Sequence, residues 1–186
     1  DGDTPMANAE HVGHSSIVAL LEEHLDSKFP LHAAARTGDV EAMTSIWLVR
    51  HGEAAADFSE DTDPCLSPLG REQAIHSVDT LHRCVPSHAA LLSSPKRRAI
   101  ETGEPYATKV QAELKIDGRF IELPSPGDLA ARRQWLDEVL EGQWSALPES
   151  VQLWRREVVS AIGSFTSPIV IFTHFLVINA VAAHIS

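Results

Sequence analysis

The sequence predicts an α/β protein in which residues 44–186 form a three-layer αβα sandwich around a mostly parallel sheet. Short apolar segments have the length of buried strands, and the last of them is rich in β-branched residues. Longer amphipathic segments lie between and after them, so strands and helices alternate along the chain. The predicted strands cover residues 45–49, 89–93 and 169–173, and the predicted helices cover residues 68–83, 95–108, 129–140, 149–164 and 175–183. This alternation is typical of a parallel sheet with helices on both faces.

Serines and prolines mark several boundaries of these elements. Ser67 precedes Pro68, which is the order expected of a helix cap followed by the first helical residue. Ser94 is expected to cap the second helix in the same way. The two prolines within residues 120–126 predict an extended loop, because proline and the residue before it both disfavour helix.

The composition argues against several classes of function. The formal net charge of −11 disfavours a protein that binds nucleic acid or an anionic membrane surface. No apolar run reaches the ~18 residues of a membrane span, and the polar, acidic start shows no signal peptide. Cys65 and Cys84 are too few for a disulfide or metal framework, so we expect free thiols and a cytoplasmic location.

Residues 1–43 differ from the rest of the chain and resemble two ankyrin repeats. Thr4-Pro5-Met6 and Pro30-Leu31-His32 are similar to the Thr-Pro-Leu-His turn of such a repeat. The two prolines are 25 residues apart rather than the usual ~33, so the loop between the copies must be short. We expect a short helical segment that offers a surface to a protein partner. The alternatives are a pair of amphipathic helices packed on the neighbouring domain, or a fusion ahead of Met43.

Cations, imidazoles and small residues follow the predicted strands. Arg50-His51-Gly52 follows the first strand, Ser93-Ser94-Pro95 follows the second and leads to Arg98, and Thr173-His174 ends the last. Ligands of parallel sheets bind beyond the carboxyl ends of the strands, so we expect these groups to meet in one crevice. Arginine supplies forked donors to phosphate oxygens, and a neutral histidine can attack phosphorus. The sequence therefore predicts a phosphate site.

Four blocks of sequence around these strand ends resemble the histidine phosphatase superfamily, whose fold is called phosphoglycerate-mutase-like. The blocks are LVRHGEA, LSPLGREQA, SSPKRRAIET and FTHFLVINA, and the resemblance covers residues 44–186. It implies hydrolysis of a phosphomonoester through a phosphohistidine, with no metal and no other cofactor. The implied substrate is a phosphorylated small molecule or a phosphoprotein. Members usually continue beyond the last helix with a further strand, so we expect a sheet truncated at its C-terminal end.

The resemblance also implies roles for single residues. His51 corresponds to the nucleophile that becomes phosphorylated, and His174 corresponds to the second histidine, which donates to the phosphoryl oxygens. Arg50 and Arg98 correspond to the phosphate-binding arginines, and Arg98 is selected by the family pattern Arg-Ala followed by Thr after two further residues. Glu122 in FIELPSP corresponds to the general acid.

Three other charged residues are expected near this predicted site. Asp57 takes the place of an Asn that contacts phosphate in many members, and a carboxylate there would repel a dianion unless it is protonated or turned away. We interpret Asp57 as a difference in specificity. Arg132 and Arg133 either reach a substrate from a cap over the crevice or lie on a solvated helix face.

Two alternative functions are compatible with the same sequence. The first is a mutase of phosphoglycerate type, whose distinctive Glu-Arg-His-Tyr block is replaced here by Glu122-Leu123-Pro124-Ser125, which favours hydrolysis. The second is a non-catalytic interaction protein, with ankyrin-like repeats joined to a truncated phosphatase domain.

Most other histidines and tryptophans are expected to be structural. We expect solvent exposure for His76, His82 and His88, and core positions for Trp135, Trp144 and Trp154.

Overall fold

The computed structural model describes residues 45–57 and 60–185. The ankyrin-like segment predicted at residues 1–43 lies outside the described residues, so that segment and the domain boundary after it stay predictions. The strands are β1 (Ile46–Arg50), β2 (Ala90–Ser93), β3 (Leu114–Ile116) and β4 (Ile169–Thr173). The helices are α1 (Pro68–Cys84), α2 (Arg97–Val110), α3 (Leu129–Glu141), α4 (Glu149–Gly163) and α5 (Phe175–Ile185).

The four strands form a parallel sheet in the order β1-β4-β2-β3. β4 comes last in the sequence but lies between β1 and β2, and its residues are all buried. Arg50 in β1 pairs with Thr173 in β4, and Ser93 in β2 pairs with Phe172. The residues that follow β1, β4 and β2 therefore emerge side by side at the carboxyl edge of the sheet.

Helices cover both faces of this sheet, as the alternation of strands and helices predicts. Along β4, Ile169 and Ile171 pack in an apolar cluster with residues of α3, α4 and α5. Val170 and Phe172 point to the opposite face and pack with residues of α1 and α2. Because successive side chains of a strand point to opposite faces, this one central strand contributes to both apolar clusters.

The start of α1 agrees with the sequence signals. Pro68 is the first helical residue, and Ser67 Oγ accepts a hydrogen bond from the Gly70 N–H at 3.0 Å. The same hydroxyl donates to Glu53 Oε1 at 2.6 Å, which ties the loop after β1 to this helix. The bounds of the other predicted helices and strands agree with the structure to within two residues.

The predicted cap of α2 is wrong. The helix begins at Arg97, and the residue at its cap position, Lys96, makes no capping bond with its side chain. The N–H of Arg97 donates instead to Asp63 Oδ1 at 2.9 Å, from the loop that precedes α1. Ser94 is buried, and its hydroxyl lies 2.7 Å from a histidine ring nitrogen. Sequence signals for caps are local, so they could not indicate a cap supplied from a distant loop.

The sequence patterns missed β3. This strand has three residues at the edge of the sheet, and two of them are exposed, so it shows neither an apolar run nor a clear alternation. After it, the Asp117 N–H donates to the carbonyl oxygen of Ser93 at 2.9 Å. That bond places the following 3₁₀ turn, Gly118–Phe120, beside the carboxyl end of the sheet.

Two backbone segments cross closely at the first turn of α1. A Cβ atom on Gly52 would lie 2.5 Å from the carbonyl oxygen of Gly70, and one on Gly70 would lie 2.1 Å from the carbonyl oxygen of Glu53. Backbone atoms cannot swing aside as the ends of side chains can, so glycine is needed at both positions. This crossing holds the loop after β1 against α1.

Gly70→Ala should lower the free energy of unfolding by about 1–3 kcal/mol or more, because the added methyl group overlaps backbone atoms. The matched control is Gly163→Ala at the end of α4, where a Cβ atom meets nothing within 4 Å. Urea unfolding of both variants measures the difference. Equal stabilities for the two variants would contradict the close crossing.

Candidate active site

The loop after β1 is held to both of its neighbours by backbone hydrogen bonds. The N–H of His51 donates to the carbonyl oxygen of Thr173 at 2.9 Å, which continues the β1–β4 ladder by one residue. The N–H of Gly52 donates to Thr102 Oγ1 at 3.0 Å, and that hydroxyl donates to the carbonyl oxygen of Arg98 at 2.7 Å. The first turns of α2 are therefore fixed relative to His51.

The two ring nitrogens of His51 have different partners. Nδ1 lies 2.7 Å from the carbonyl oxygen of Gly52, which can only accept, so the ring proton belongs on Nδ1. Nε2 then carries a lone pair and accepts a hydrogen bond from Arg98 Nε at 3.1 Å. His51 lines the pocket beyond the sheet, so this lone pair is the nucleophilic atom that the site offers.

Burial keeps His51 neutral. Burial first, and then the positive charges of Arg98 and Arg50, lower the pKa of the imidazole from 6.5 to about 3, against the opposing effect of the Gly52 carbonyl. A protonated Nε2 would have no lone pair with which to attack phosphorus. The ring is therefore in its nucleophilic form across the physiological pH range.

His174 lies beside His51 but is held by a different group. The two rings meet edge to face, with centroids 5.1 Å apart and an interplanar angle of 64°. The side chain of His174 is fully buried, and its Nε2 lies 2.7 Å from Ser94 Oγ. Its Nδ1 has no hydrogen-bond partner among the described residues and lies 3.7 Å from Glu122 Oε2. Burial, then the charges of neighbouring cationic groups, holds the pKa of His174 well below its usual value.

Glu122 is held near the two histidines by the extended segment that the prolines predict. Thr173 Oγ1 donates to the carbonyl oxygen of Phe120 at 2.8 Å, and Trp154 Nε1 donates to that of Ile121 at 3.1 Å. Burial raises the pKa of the Glu122 carboxyl, and Arg98 most strongly opposes this shift. Burial therefore disfavours the charged form of each group in this contact.

Arg50 and Arg98 supply positive charge to the same place. Arg98 is 6% exposed, and the guanidinium of Arg50 lies 5.1 Å from the centre of the Phe175 ring, a cation–π contact. Burial lowers the pKa of both guanidinium groups, but arginine starts so far above neutrality that both stay charged. Glu122 opposes this lowering at both arginines, and Asp63 and Asp61 also oppose it at Arg98.

A cavity of about 710 Å³ opens above these residues. The residues that line it form an apolar group and an acidic group. The apolar wall comprises Leu123, Trp135, Leu136, Leu140, Phe175 and Leu176, and the acidic lining comprises Glu53, Asp57, Glu60 and Asp61. Among the lining residues that the structure describes, the permanent cations are Arg50 and Arg98. Trp135 therefore faces the cavity as well as the core, whereas Trp144 and Trp154 are core residues as predicted.

Asp57 lies at the rim rather than against the histidines. Its Oδ2 is 3.6 Å from Arg133 Nη1, and the side chain is 49% exposed. Asp57 thus forms an ion pair with an exposed arginine of α3, so its carboxylate is turned toward a cation. Arg132 is 8% exposed, so the solvated position considered for it is wrong. Its Nε donates to the carbonyl oxygen of Pro126 at 3.0 Å.

The structure brings the five predicted site residues together: Arg50, His51, Arg98, Glu122 and His174. Sequence reasoning missed the contributions of Thr102 and Ser94. The sequence does point to Thr102, because it is the threonine of the Arg-Ala block. That pattern does not indicate that its hydroxyl accepts a hydrogen bond from the Gly52 N–H. The local sequence around Ser94 predicts a helix cap, and no local pattern indicates its contact with His174. The histidines expected to be solvated, His76, His82 and His88, are exposed.

No cluster of three or more His, Cys, Asp or Glu side chains within residues 45–57 and 60–185 has an arrangement that could hold a metal ion. No helix in that part of the chain is long and apolar enough to cross a membrane.

The profile of the histidine phosphatase superfamily, branch 1, matches residues 46–186. The chain belongs to this superfamily. The match begins at the first residue of β1 and includes every strand end that contributes to the site. The predicted family is therefore confirmed, and the ankyrin-like interpretation of residues 1–43 receives no support from the match.

Comparison with known proteins gives more distant similarities. The human mitochondrial serine/threonine-protein phosphatase PGAM5 is 34% identical over 111 residues, which are 56% of this chain and 36% of that protein. The chain thus spans only about a third of the length of this relative. The native mycobacterial glucosyl-3-phosphoglycerate phosphatase is 21% identical, with a TM-score of 0.56 over 74% of this chain and 76% of its own. The Rv3214 product of Mycobacterium tuberculosis is 18% identical, with a TM-score of 0.56 over 76% and 84% of the two chains. The two solved structures show that the fold is shared.

Acid should destabilise the protein partly through His51. Its pKa is about 3 in the folded state, and a free histidine titrates near 6.5, so unfolding takes up a proton between these pH values. The resulting contribution to stability is complete above about pH 6.5 and is lost as the pH falls, at up to about 1.4 kcal/mol per pH unit. His51→Gln should flatten this dependence in urea unfolding between pH 7.5 and 4.5.

His88→Gln is the control, because His88 is exposed. It should keep the wild-type dependence of stability on pH. A wild-type slope in His51→Gln would show that the folded state does not hold His51 neutral.

Proposed function

We propose that this chain hydrolyses phosphomonoesters without a metal ion, through a phosphohistidine formed on His51. The observation that carries the proposal is the environment of His51, whose Nδ1 proton is tied to the Gly52 carbonyl while Nε2 keeps a lone pair at the pocket. Arg50 and Arg98 provide two positive charges beside that lone pair. A phosphoryl group in transfer spreads negative charge over its oxygens, so positioning and positive charge are the main requirements.

In the first step, His51 Nε2 attacks phosphorus and the bond from phosphorus to the ester oxygen breaks. The departing alkoxide takes the proton of Glu122, which burial favours in its protonated form. The alcohol leaves, and the phosphoryl group is held on Nε2 while Nδ1 keeps its proton against the Gly52 carbonyl. Arg98 gives up its bond to Nε2 and turns its donors to the phosphoryl oxygens.

In the second step, water cleaves the phosphohistidine. The Glu122 carboxylate accepts a proton from the attacking water, the new oxygen binds phosphorus, and the bond from phosphorus to Nε2 breaks. Inorganic phosphate leaves, His51 returns to its neutral form, and Glu122 is again protonated. The same carboxyl group therefore serves as acid and then as base.

The cavity supports a substrate with an apolar part beside the phosphoryl group. Its wall includes Trp135 and Phe175, and its size of about 710 Å³ suits a small molecule or a side chain presented by a protein. Similarity to a serine/threonine-protein phosphatase supports a phosphoprotein, and similarity to a glucosyl-3-phosphoglycerate phosphatase supports a small molecule. A protein partner for the N-terminal segment and a cytoplasmic location stay predictions.

The lining disfavours the mutase alternative. A phosphoglycerate carries a carboxylate in addition to its phosphoryl group and needs a cation for it. Beyond Arg50 and Arg98, the described charged residues that line the cavity are acidic, including Asp57, Glu60 and Asp61. Like charges repel, so this lining disfavours the carboxylate of such a substrate. The cavity therefore supports hydrolysis better than transfer of a phosphoryl group between two acids.

His51→Ala should reduce hydrolysis by at least about 10³-fold, because the substitution removes the atom that forms the covalent intermediate. Wild-type enzyme quenched in alkaline detergent should carry labelled phosphate that is stable to base and labile to acid, and the variant should carry none. His76→Ala, on the exposed face of α1, is the matched control and should keep full activity. Loss of activity with EDTA, together with retained activity in His51→Ala, would overturn the proposal. So would a wild-type chain that folds but hydrolyses no phosphomonoester, as expected of a non-catalytic interaction protein.

Glu122→Gln should lower kcat/KM for an alkyl phosphate such as phosphoserine by ~10²–10⁴-fold, because the alkoxide needs a proton as it leaves. kcat/KM for p-nitrophenyl phosphate should change little, since p-nitrophenolate leaves without one. The loss of the base in the second step should appear instead as a burst of nitrophenolate followed by slow turnover. Glu157→Gln, on the exposed side of α4, is the control. Equal losses in kcat/KM on both substrates would mean that Glu122 is not the acid.

A further inference from the structure

The two site histidines are anchored by groups of opposite hydrogen-bonding character. His51 has a carbonyl oxygen against Nδ1, and a carbonyl can only accept. His174 has a hydroxyl against Nε2, and a hydroxyl can also donate. Both rings are neutral and each therefore carries a single proton, so the anchor decides which nitrogen is a donor.

We propose that Ser94 is a positioning residue that donates its hydroxyl proton to His174 Nε2 and so fixes the ring proton on Nδ1, facing the phosphoryl site. This rests on the proposed phosphatase function and names how its second histidine is kept ready to donate. In this arrangement His51 presents a lone pair to the phosphorus atom and His174 presents a proton to an oxygen of the same group. Neither ring needs to be charged.

The contacts of Ser94 favour donation to His174. The hydroxyl is within 3.4 Å of the Lys96 N–H, which can only donate to it, so the hydroxyl proton is directed to the ring nitrogen. The residue itself is immobile: it is fully buried, and its N–H donates to the carbonyl oxygen of Phe172 at 2.9 Å. Its own carbonyl oxygen accepts from Ser93 Oγ at 2.9 Å.

The unpartnered ring nitrogen of His174 indicates where a ligand would bind. Nδ1 is fully buried, has no hydrogen-bond partner among the described residues, and lies on the side of Glu122, which lines the cavity. A buried polar atom without a partner is costly, and such atoms commonly mark functional sites. The oxygens of a phosphoryl dianion can only accept, so Nδ1 must carry the proton when that ligand is bound.

Ser94→Ala should weaken the binding of orthovanadate roughly tenfold or more, because His174 would lose the partner that fixes its proton. Ser77→Ala is the matched control: Ser77 is also buried, but its hydroxyl donates to a backbone carbonyl within α1 rather than contacting a ring. Ser77→Ala should change vanadate affinity by less than about twofold. Ser94→Thr keeps the hydroxyl and should retain most of the affinity.

The tautomer itself can be measured by ¹⁵N NMR of histidine-labelled protein with and without vanadate. Wild-type His174 should show a protonated Nδ1 and a lone pair on Nε2, and Ser94→Ala should lose this preference. In a His174→Gln background, Ser94→Ala should add less than about a twofold loss of vanadate affinity, because its effect passes through His174. A purely structural serine would give additive losses.

Protonation of His174 on Nε2 in the wild-type protein, or additive losses in the double variant, would overturn the proposal. Failure of the phosphatase function can be distinguished from failure of the role of Ser94. The phosphatase function would fail if the folded wild-type protein hydrolysed no phosphomonoester, or if its activity did not depend on His51. The tautomer of His174 in the unliganded protein still decides the role of Ser94 in that case.

Discussion

The parallel pairing of β4 with β1 on one side and β2 on the other is the constraint on which the site depends. Because β4 lies between these strands, the residue that follows it, His174, stands between His51 and Ser94. A shift of one residue in the register would turn every side chain of β4 to the opposite face and separate the apolar residues of both cores. The packing that stabilises the sheet therefore also specifies the geometry of the two histidines.

Burial has opposite chemical consequences for the groups at this edge of the sheet. It removes the charge from His51 and His174 and favours the protonated form of Glu122, because each of these groups can become neutral by gaining or losing one proton. Arginine cannot do so near neutral pH. A single low-dielectric environment thus leaves two neutral imidazoles, a carboxyl group with a raised pKa and two permanent cations side by side.

Most of the site could be predicted because its residues follow strands directly. His51 and His174 each come immediately after a recognisable apolar segment, and parallel strands bring such positions together. The features that could not be predicted depend on contacts between distant segments. The cap of α2 comes from Asp63, and the hydroxyl of Ser94 serves a ring 80 positions further along the chain. The burial of Arg132 follows from how α3 packs, which the periodicity of one helix does not reveal.

The two guanidinium groups also bear on which phosphate esters fit. In the proposed resting state, Arg50 and Arg98 carry two positive charges, while burial disfavours the charged forms of the histidines and Glu122. A phosphomonoester dianion would bring two negative charges to these cations. A phosphodiester would bring only one, and its weaker attraction would compensate less of the cost of removing the guanidinium groups from water. Discrimination between monoesters and diesters would then follow from charge balance, even where the cavity is wide enough for both.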